Sequence, residues 1–418
     1  MSVDMQALGQ QAKAAAAELR RFDTAAKNRA LRAIADAIDA NRDAILEANA
    51  ADVADGRAAG LTSALLDRLN LARRLDGVTA DVRGVAQLPD PVGQEFESKT
   101  LPNGLRVRKR RVPVGVLGVI YEARPNVTVD VVSLALKTSN AVILRGGSET
   151  LRSNIALVDT IHDALASAGF PPEMVRLIRD QDRRYVRELL RLSDYVDMII
   201  PRGGNSLHTF CRENSTIPVI TGGIGICHLY VDETADLEKA LAIVQNAKVQ
   251  RPSVCNALDT LLVQESVADR FVPRVVDRLR QDGVRFCADE RALALLEGAD
   301  SVRPAELGDW DVEWLDLFLG IRIVPDLDTA IDHIREHGTA HSDGILTSDP
   351  ASMEQFVNEI DSAAVYVNAS TRFTDGSQLG LGAEIAISTQ KLHARGPMGL
   401  VELTTYKWII EGDGHTRP

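Results

Sequence analysis

Val116-Leu117-Gly118-Val119-Ile120-Tyr121-Glu122-Ala123-Arg124-Pro125-Asn126, with Ala141-Val142-Ile143-Leu144-Arg145-Gly146-Gly147-Ser148-Glu149 after it, decides the fold class. Each stretch opens with an unbroken apolar run, as a strand buried on both faces requires, and then breaks into a polar loop. Between them, Val129 to Lys137 has the spacing of a buried helix. The alternation continues through a helix over Ser148–Ala168, a strand Met174–Ile178, a helix Arg183–Leu192 and a strand Val196–Ile200. Apolar strands separated by amphipathic helices predict a parallel sheet covered on both sides, an α/β architecture of the nucleotide-binding type.

Upstream, the first ~95 residues are rich in Ala and Leu with helical periodicity. Asp23-Thr24 starts one helix, and Thr62 caps another. Leu101-Pro102-Asn103-Gly104-Leu105 holds an Asn-Gly turn, and Leu105-Arg106-Val107-Arg108 alternates as an exposed strand does, so a β-hairpin is expected over 98–112. Downstream, a second series has helices Leu237–Lys248, Phe271–Asp282, Leu327–His337 and Ala351–Ile360. Its strands are Thr260–Val263, Ile321–Val324, Gly344–Thr347 and Ala363–Val367, making a second α/β domain. Val401 to Trp408 reads as an exposed strand able to pair with the hairpin as a protruding arm.

Composition narrows the class. The 418 residues suit two or three domains. They are 45% apolar and 25% charged, the balance of a globular protein. A formal net charge of −12 argues against nucleic acid or an anionic membrane surface as partner. The beginning of the chain lacks the pattern of a signal peptide, and no run reaches the ~20 apolar residues of a membrane helix. A cytoplasmic protein with reduced thiols is the expectation. Four cysteines without close spacing form neither a disulfide framework nor a paired zinc motif.

Cys255, in Gln250-Arg251-Pro252-Ser253-Val254-Cys255-Asn256-Ala257, differs from the other three. Proline and small polar neighbours suit a thiol at the mouth of a cleft. Cys211 in a helical stretch, and Cys227 and Cys287 in strand-like runs, read as small buried hydrophobes. Two glycine turns, Arg202-Gly203-Gly204 and Gly222-Gly223-Ile224-Gly225, follow strands but match neither GxGxxG nor a P-loop. Arg145, at the end of a strand, is placed to meet a dinucleotide 2′-phosphate. The same spacing fits a solvated arginine beside a serine cap. Asn126 can donate a side-chain N–H to an oxyanion, or serve only as a turn residue. His333, His337 and His341 have zinc-like spacing, but Gly338 ends the helix before His341, and no metal site is expected.

In this order these segments resemble the aldehyde dehydrogenase superfamily over nearly the whole chain. They resemble its γ-glutamyl phosphate reductase family most in Tyr121–Val127, Ser253–Leu262 and Val324–Ile345. The resemblance implies an aldehyde-dehydrogenase-like fold. A Rossmann-type NADPH-binding domain would comprise 1–97 and 113–234, with a catalytic domain over 235–372. A small β oligomerisation arm would comprise 98–112 and 397–418, with a return segment over 373–396.

It implies roles as well. Cys255 matches the nucleophile, and Asn126 the asparagine that shares the oxyanion with the cysteine's own N–H. Arg145, Ser148 and Glu149 stand where the superfamily contacts the adenosine ribose. Gly203 and Gly204 line the pyrophosphate, and Glu313 aligns with a glutamate on the nicotinamide ribose. Arg124, Ser370 and Arg372 are candidates for binding the substrate's anionic groups. Where hydrolytic relatives carry a water-activating glutamate in Glu-Leu-Gly-Gly, this chain has Ile220-Thr221-Gly222-Gly223. A thioester on Cys255 should therefore survive to accept hydride. The implied reaction reduces L-glutamyl 5-phosphate to L-glutamate 5-semialdehyde with NADPH, the second step of proline biosynthesis. A homo-oligomer and a transient contact with glutamate 5-kinase would fit. Another acyl donor, or a non-catalytic assembly role, are the alternatives.

Overall fold

The structure is a computed structural model that describes residues 3–417 apart from Gly223, Glu297 and Ala299. The chain forms two compact units. One comprises Met1–Thr221, Gly380–Ala386 and Met398–Pro418; the other comprises Gly222–Leu379 and Ile387–Pro397.

The first unit is built on a four-stranded parallel sheet. Its spatial order is Val175–Leu177, Ala141–Gly146, Val116–Tyr121, Met198–Arg202. The first strand in sequence thus has its successor on one side and the last strand on the other. The direction of winding reverses between Val116–Tyr121 and Met198–Arg202, and such a reversal opens a crevice at the carboxyl ends of the strands. Both central strands are buried along their whole length, which explains their apolar sequence up to Arg145 near the end of the second. Helices Asn126–Lys137 and Leu151–Ser167 pack on the N-terminal helices Thr24–Ala40, Arg42–Ala58 and Leu75–Gln87. Asp23 and Thr62 act as the expected caps, accepting from the N–H groups of Ala26 and Leu65. The expected long helix after Arg145 begins later, at Leu151, because Ser148–Thr150 forms a 3₁₀ turn first.

An antiparallel sheet of three strands also belongs to this unit: Glu95–Thr100, Arg106–Pro113 and Thr404–Glu411. Gly104, with φ of 91°, sits in the Asn-Gly turn, and the Asn103 side chain accepts from the N–H of Leu105. On one face the Lys109 ammonium lies 4.5 Å from the Tyr406 ring centroid and 5.1 Å from that of Trp408.

The second unit carries a seven-stranded, wholly parallel sheet. Its order is Val302–Pro304, Arg285–Ala288, Phe318–Val324, Leu258–Gln264, Cys227–Val231, Ser342–Leu346, Ala364–Val367. Alternate residues of one strand serve opposite faces. Leu261 and Val263 pack with Phe271, Val272, Val275 and Val276 of the helix Glu265–Leu279. Leu262 packs instead with Ile331, Ile334 and Phe356. The cofactor domain was expected to run to residue 234. Cys227–Val231 instead pairs with Leu258–Gln264, which carries 222–234 into the second unit. Among the described residues no helix is long and apolar enough to cross a membrane.

Candidate active site

In the second unit the chain leaves the helix Leu237–Val249, turns through 251–257 and enters the strand Leu258–Gln264. Cys255 sits in that turn and is only partly buried, whereas Cys211, Cys227 and Cys287 are buried. Three contacts fix the peptide around it. The Cys255 carbonyl accepts the Cys227 thiol at 3.2 Å. The same carbonyl fills the space beside Gly225, where a Cβ would lie 1.7 Å from its oxygen, so only glycine fits there. The Asn256 side chain donates to the carbonyls of Thr374 (2.9 Å) and Arg372 (3.3 Å), while its own carbonyl accepts the Thr371 hydroxyl at 2.7 Å.

These bonds bring the 370–374 segment to the cysteine turn. Burial pushes the Arg372 guanidinium down and Arg251 adds to this, while the nearby Cys255 favours its charged form. Its Nε donates to Gln250 at 2.8 Å. Ser370 is spent locally, accepting the N–H of Arg372.

Glu313 also comes to this turn, its Oε1 accepting the N–H of Gly225 at 3.0 Å. Beneath lies a pair absent from the sequence expectations. Asp259 accepts the N–H of Trp314 at 3.2 Å and stands 3.7 Å from Lys248, both side chains being almost fully buried. Burial pushes the Asp259 carboxyl up to about 7 and the Lys248 ammonium down. Lys248 in turn donates to the carbonyl of Leu258 at 2.9 Å, so the pair ties the strand that follows the cysteine to the Glu313 turn.

The first unit gathers a separate set at the winding reversal of its sheet. Glu122 follows Tyr121, and its Oε2 accepts the N–H of Gly204 at 3.0 Å. Ala123 has φ of 43°, unusual for a residue with a side chain, and its N–H is held by Glu149 Oε1 at 2.6 Å. Asn126 opens the helix Asn126–Lys137 and its Nδ2 donates to Asp130 Oδ2 at 2.9 Å. Arg124 is half-buried in the loop between them.

Arg145 is buried, with one guanidinium nitrogen on the Gly146 carbonyl and another on that of Gln181 at 2.9 Å. Its Nε has no acceptor among the described residues. Gly147 leaves room for the Glu149 carboxylate, which a Cβ there would meet at 2.1 Å. Arg145, Ser148, Glu149, Gly203, Gly204 and Asn126 therefore share one end of one sheet, and Cys255, Glu313, Ser370 and Arg372 share one turn region of the other unit. Gly223, part of the expected glycine turn, lies outside the described residues.

His333, His337 and His341 are each engaged within the protein. His333 is buried against Trp310, and burial with its cationic neighbours pushes it down to about 2. His337 pairs with Asp311 at 2.8 Å, and His341 bonds the Ser342 hydroxyl. Among the described residues no group of three or more His, Cys, Asp or Glu is arranged to hold a metal ion.

The four thiols should differ sharply in reactivity. Burial pushes Cys211 and Cys287 up to about 12 and Cys227 well above its ordinary value. Brief alkylation at neutral pH followed by peptide mass spectrometry is expected to label Cys255 first. Equal or earlier labelling of Cys211 would contradict this geometry.

The sequence profile described as the aldehyde dehydrogenase family matches residues 2–287. A γ-glutamyl phosphate reductase of Psychromonas ingrahamii is 59% identical over 417 residues, covering 100% of both chains. One of Escherichia coli O1:K1 is 58% identical and covers 98% of this chain and 99% of its own. The crystal structure of a γ-glutamyl phosphate reductase of Thermotoga maritima superimposes with a TM-score of 0.97 at 46% identity, with 100% of each chain covered. With the parallel sheets, the pinned cysteine turn and these full-length likenesses in hand, the chain belongs to the aldehyde dehydrogenase family, within its γ-glutamyl phosphate reductases.

Proposed function

We propose that this enzyme reduces L-glutamyl 5-phosphate to L-glutamate 5-semialdehyde and phosphate, with NADPH, through a thioester on Cys255. The observation that carries the reading is the cysteine turn. Cys255 is the cysteine of the four that is only partly buried, its peptide is held by Gly225, Cys227 and Asn256, and the Arg372 guanidinium lies near it. A thiolate so held can attack the γ-carbonyl. Asn126 and the Cys255 N–H are assigned to the tetrahedral oxyanion, each such donor being worth ~3 kcal/mol. Phosphate departs as a good leaving group and needs no strong acid.

The residues at the first unit's sheet end fit a dinucleotide. Arg145 has a buried N–H without an acceptor among the described residues, and Gly203-Gly204 precede the N-terminus of the helix Asn205–Asn214. When bound, the nicotinamide supplies hydride to the acyl carbon. Arg145 is assigned to the adenosine end with Ser148 and Glu149, the glycine pair to the pyrophosphate, and Glu313 to the nicotinamide ribose. Arg124 and Arg372 are assigned to the substrate's anionic groups. Ser370, whose hydroxyl caps its own turn, serves there by holding Arg372.

Ile220 is buried and carries no proton acceptor, so no base is supplied there to turn water on the thioester. Collapse of the reduced adduct then returns the thiolate. Self-association through the exposed Tyr406, Trp408 and Ile410 of the arm fits the same reading, as do a cytoplasmic setting and a transient contact with glutamate 5-kinase.

The reverse reaction avoids the labile acyl phosphate. Oxidation of the semialdehyde with NADP and phosphate should proceed with the natural chain and fall by at least roughly a thousandfold in Cys255→Ala. A near-normal rate in that variant would sink the thioester. Arg145→Ala should raise the KM for NADPH about tenfold more than that for NADH, since a charged contact of ~1.5 kcal/mol is at stake; equal changes would remove Arg145 from 2′-phosphate recognition.

A further inference from the structure

The side-chain amide of Asn126 is a two-sided group. Its nitrogen edge donates two N–H groups and its oxygen edge only accepts. An amide that serves a developing oxyanion must present nitrogen; rotated by half a turn it would present lone pairs to a negative charge. Something must therefore choose its orientation, and a choice made by solvent alone would leave a mixture.

Asp130 lies one helical turn further on in the same helix, and its Oδ2 accepts from Asn126 Nδ2 at 2.9 Å. The spacing of four residues is the one at which helical side chains meet. An ionised carboxylate has acceptors only, so it admits the amide nitrogen and rejects the amide oxygen. One N–H is then committed to Asp130 and the second, on the same nitrogen, stays available. The bond also draws electron density toward Nδ2 and restricts the two torsions of the asparagine.

From this geometry we propose that Asp130 is a positioning residue, whose ionised carboxylate holds the Asn126 amide with its nitrogen as donor for the reacting acyl oxygen. The inference rests on the assignment of Asn126 to the oxyanion made above.

The surroundings make this device sensitive to pH. Asp130 as a residue is half-buried, yet its carboxyl is enclosed enough that burial pushes it up to about 6, against the hydrogen bond from Asn126. Two charged groups face it from the packed elements. Asp81, on the helix Leu75–Gln87, raises it further, and Arg202, at the end of the strand Met198–Arg202, lowers it. Asp81 is itself pushed up by burial. Protonated, the Asp130 carboxyl becomes donor and acceptor at once and accommodates either amide orientation. The selection is thus present above about pH 6 and fades below it.

The test uses the full chain in the phosphate-dependent oxidation of the semialdehyde, with D130N, N126A and the double variant D130N/N126A measured from pH 5 to 8. An asparagine at 130 keeps the shape but offers both donor and acceptor. D130N is expected to lower kcat about tenfold with KM changed less than twofold, because misplacing a reacting group acts on the rate. The ratio of wild-type to D130N kcat should shrink toward one as pH falls below about 6; limbs due to the thiol or the substrate cancel in that ratio. N126A should lose about a hundredfold, as loss of one oxyanion donor does, and adding D130N to it should cost nothing more.

D130E keeps a carboxylate and should retain the acidic dependence. It carries the comparison should D130N unfold on melting analysis. The same penalty for D130N with and without Asn126 would overturn the proposal, as would a raised KM for the semialdehyde at unchanged kcat. Near-normal turnover of N126A would overturn the oxyanion assignment itself, a different result from additivity of two damaging variants.

Discussion

The carbonyl oxygen of Cys255 occupies the volume that a side chain on residue 225 would need, and that close approach is the constraint from which the cysteine turn takes its shape. With the carbonyl seated against Gly225 and accepting the Cys227 thiol, the Cys255 peptide has one orientation. That seat fixes the peptide linking Cys255 to Asn256, and Cys255 itself is only partly buried, unlike the other three cysteines. The other bonds in this unit build outward from that seat. Asn256 stitches the turn to 371–374, and the N–H of Gly225 is capped by Glu313. Asp259 and Lys248 below connect the following strand to the Glu313 turn. Removing one partner of such a buried pair leaves a charge without compensation, so the pair acts as a rigid floor.

The first unit solves a different problem, that of holding polar loops at the end of an apolar sheet. Two carboxylates do this by accepting backbone N–H groups. Glu149 stabilises the left-handed turn at Ala123, and Glu122 links the loop after Tyr121 to the glycine pair after Arg202. Backbone strain at Ala123 costs of order 1–3 kcal/mol and persists because Glu149 over-determines it. The reward is that Asn126 starts its helix at one defined place beside the winding reversal.

Much of this was legible in the sequence. Unbroken apolar runs such as Val116–Ile120 marked the parallel strands, Asn103-Gly104 marked the hairpin, and Asp23 and Thr62 marked helix starts, because each signal is local and periodic. The cysteine turn was legible because proline and small polar residues surround a single thiol. What escaped is tertiary. Cys227 read as a hydrophobe, although its thiol also donates to the Cys255 carbonyl across 28 residues of sequence. The strand it belongs to joins the second sheet, a pairing no local pattern encodes. Lys248 and Asp259 stand at the end of one element and the start of another, and only the structure shows that both are buried and paired. Glu149 was assigned by resemblance to a ligand, whereas its bond to the Ala123 N–H shows work within the protein itself. Asp130 drew no notice in the sequence, and its bond to Asn126, four residues back on the same helix, comes from the structure.

The central claim is that Cys255 carries an acyl group which passes to hydride or phosphate and not to water. Stopped-flow absorbance of NADPH, with enzyme mixed with semialdehyde and NADP in phosphate-free buffer, tests it directly. A burst of about one NADPH per Cys255, followed by a stall that added phosphate relieves, is the predicted trace, since without phosphate the thioester has no acceptor. Continuous turnover without phosphate, or no burst at all, would contradict it.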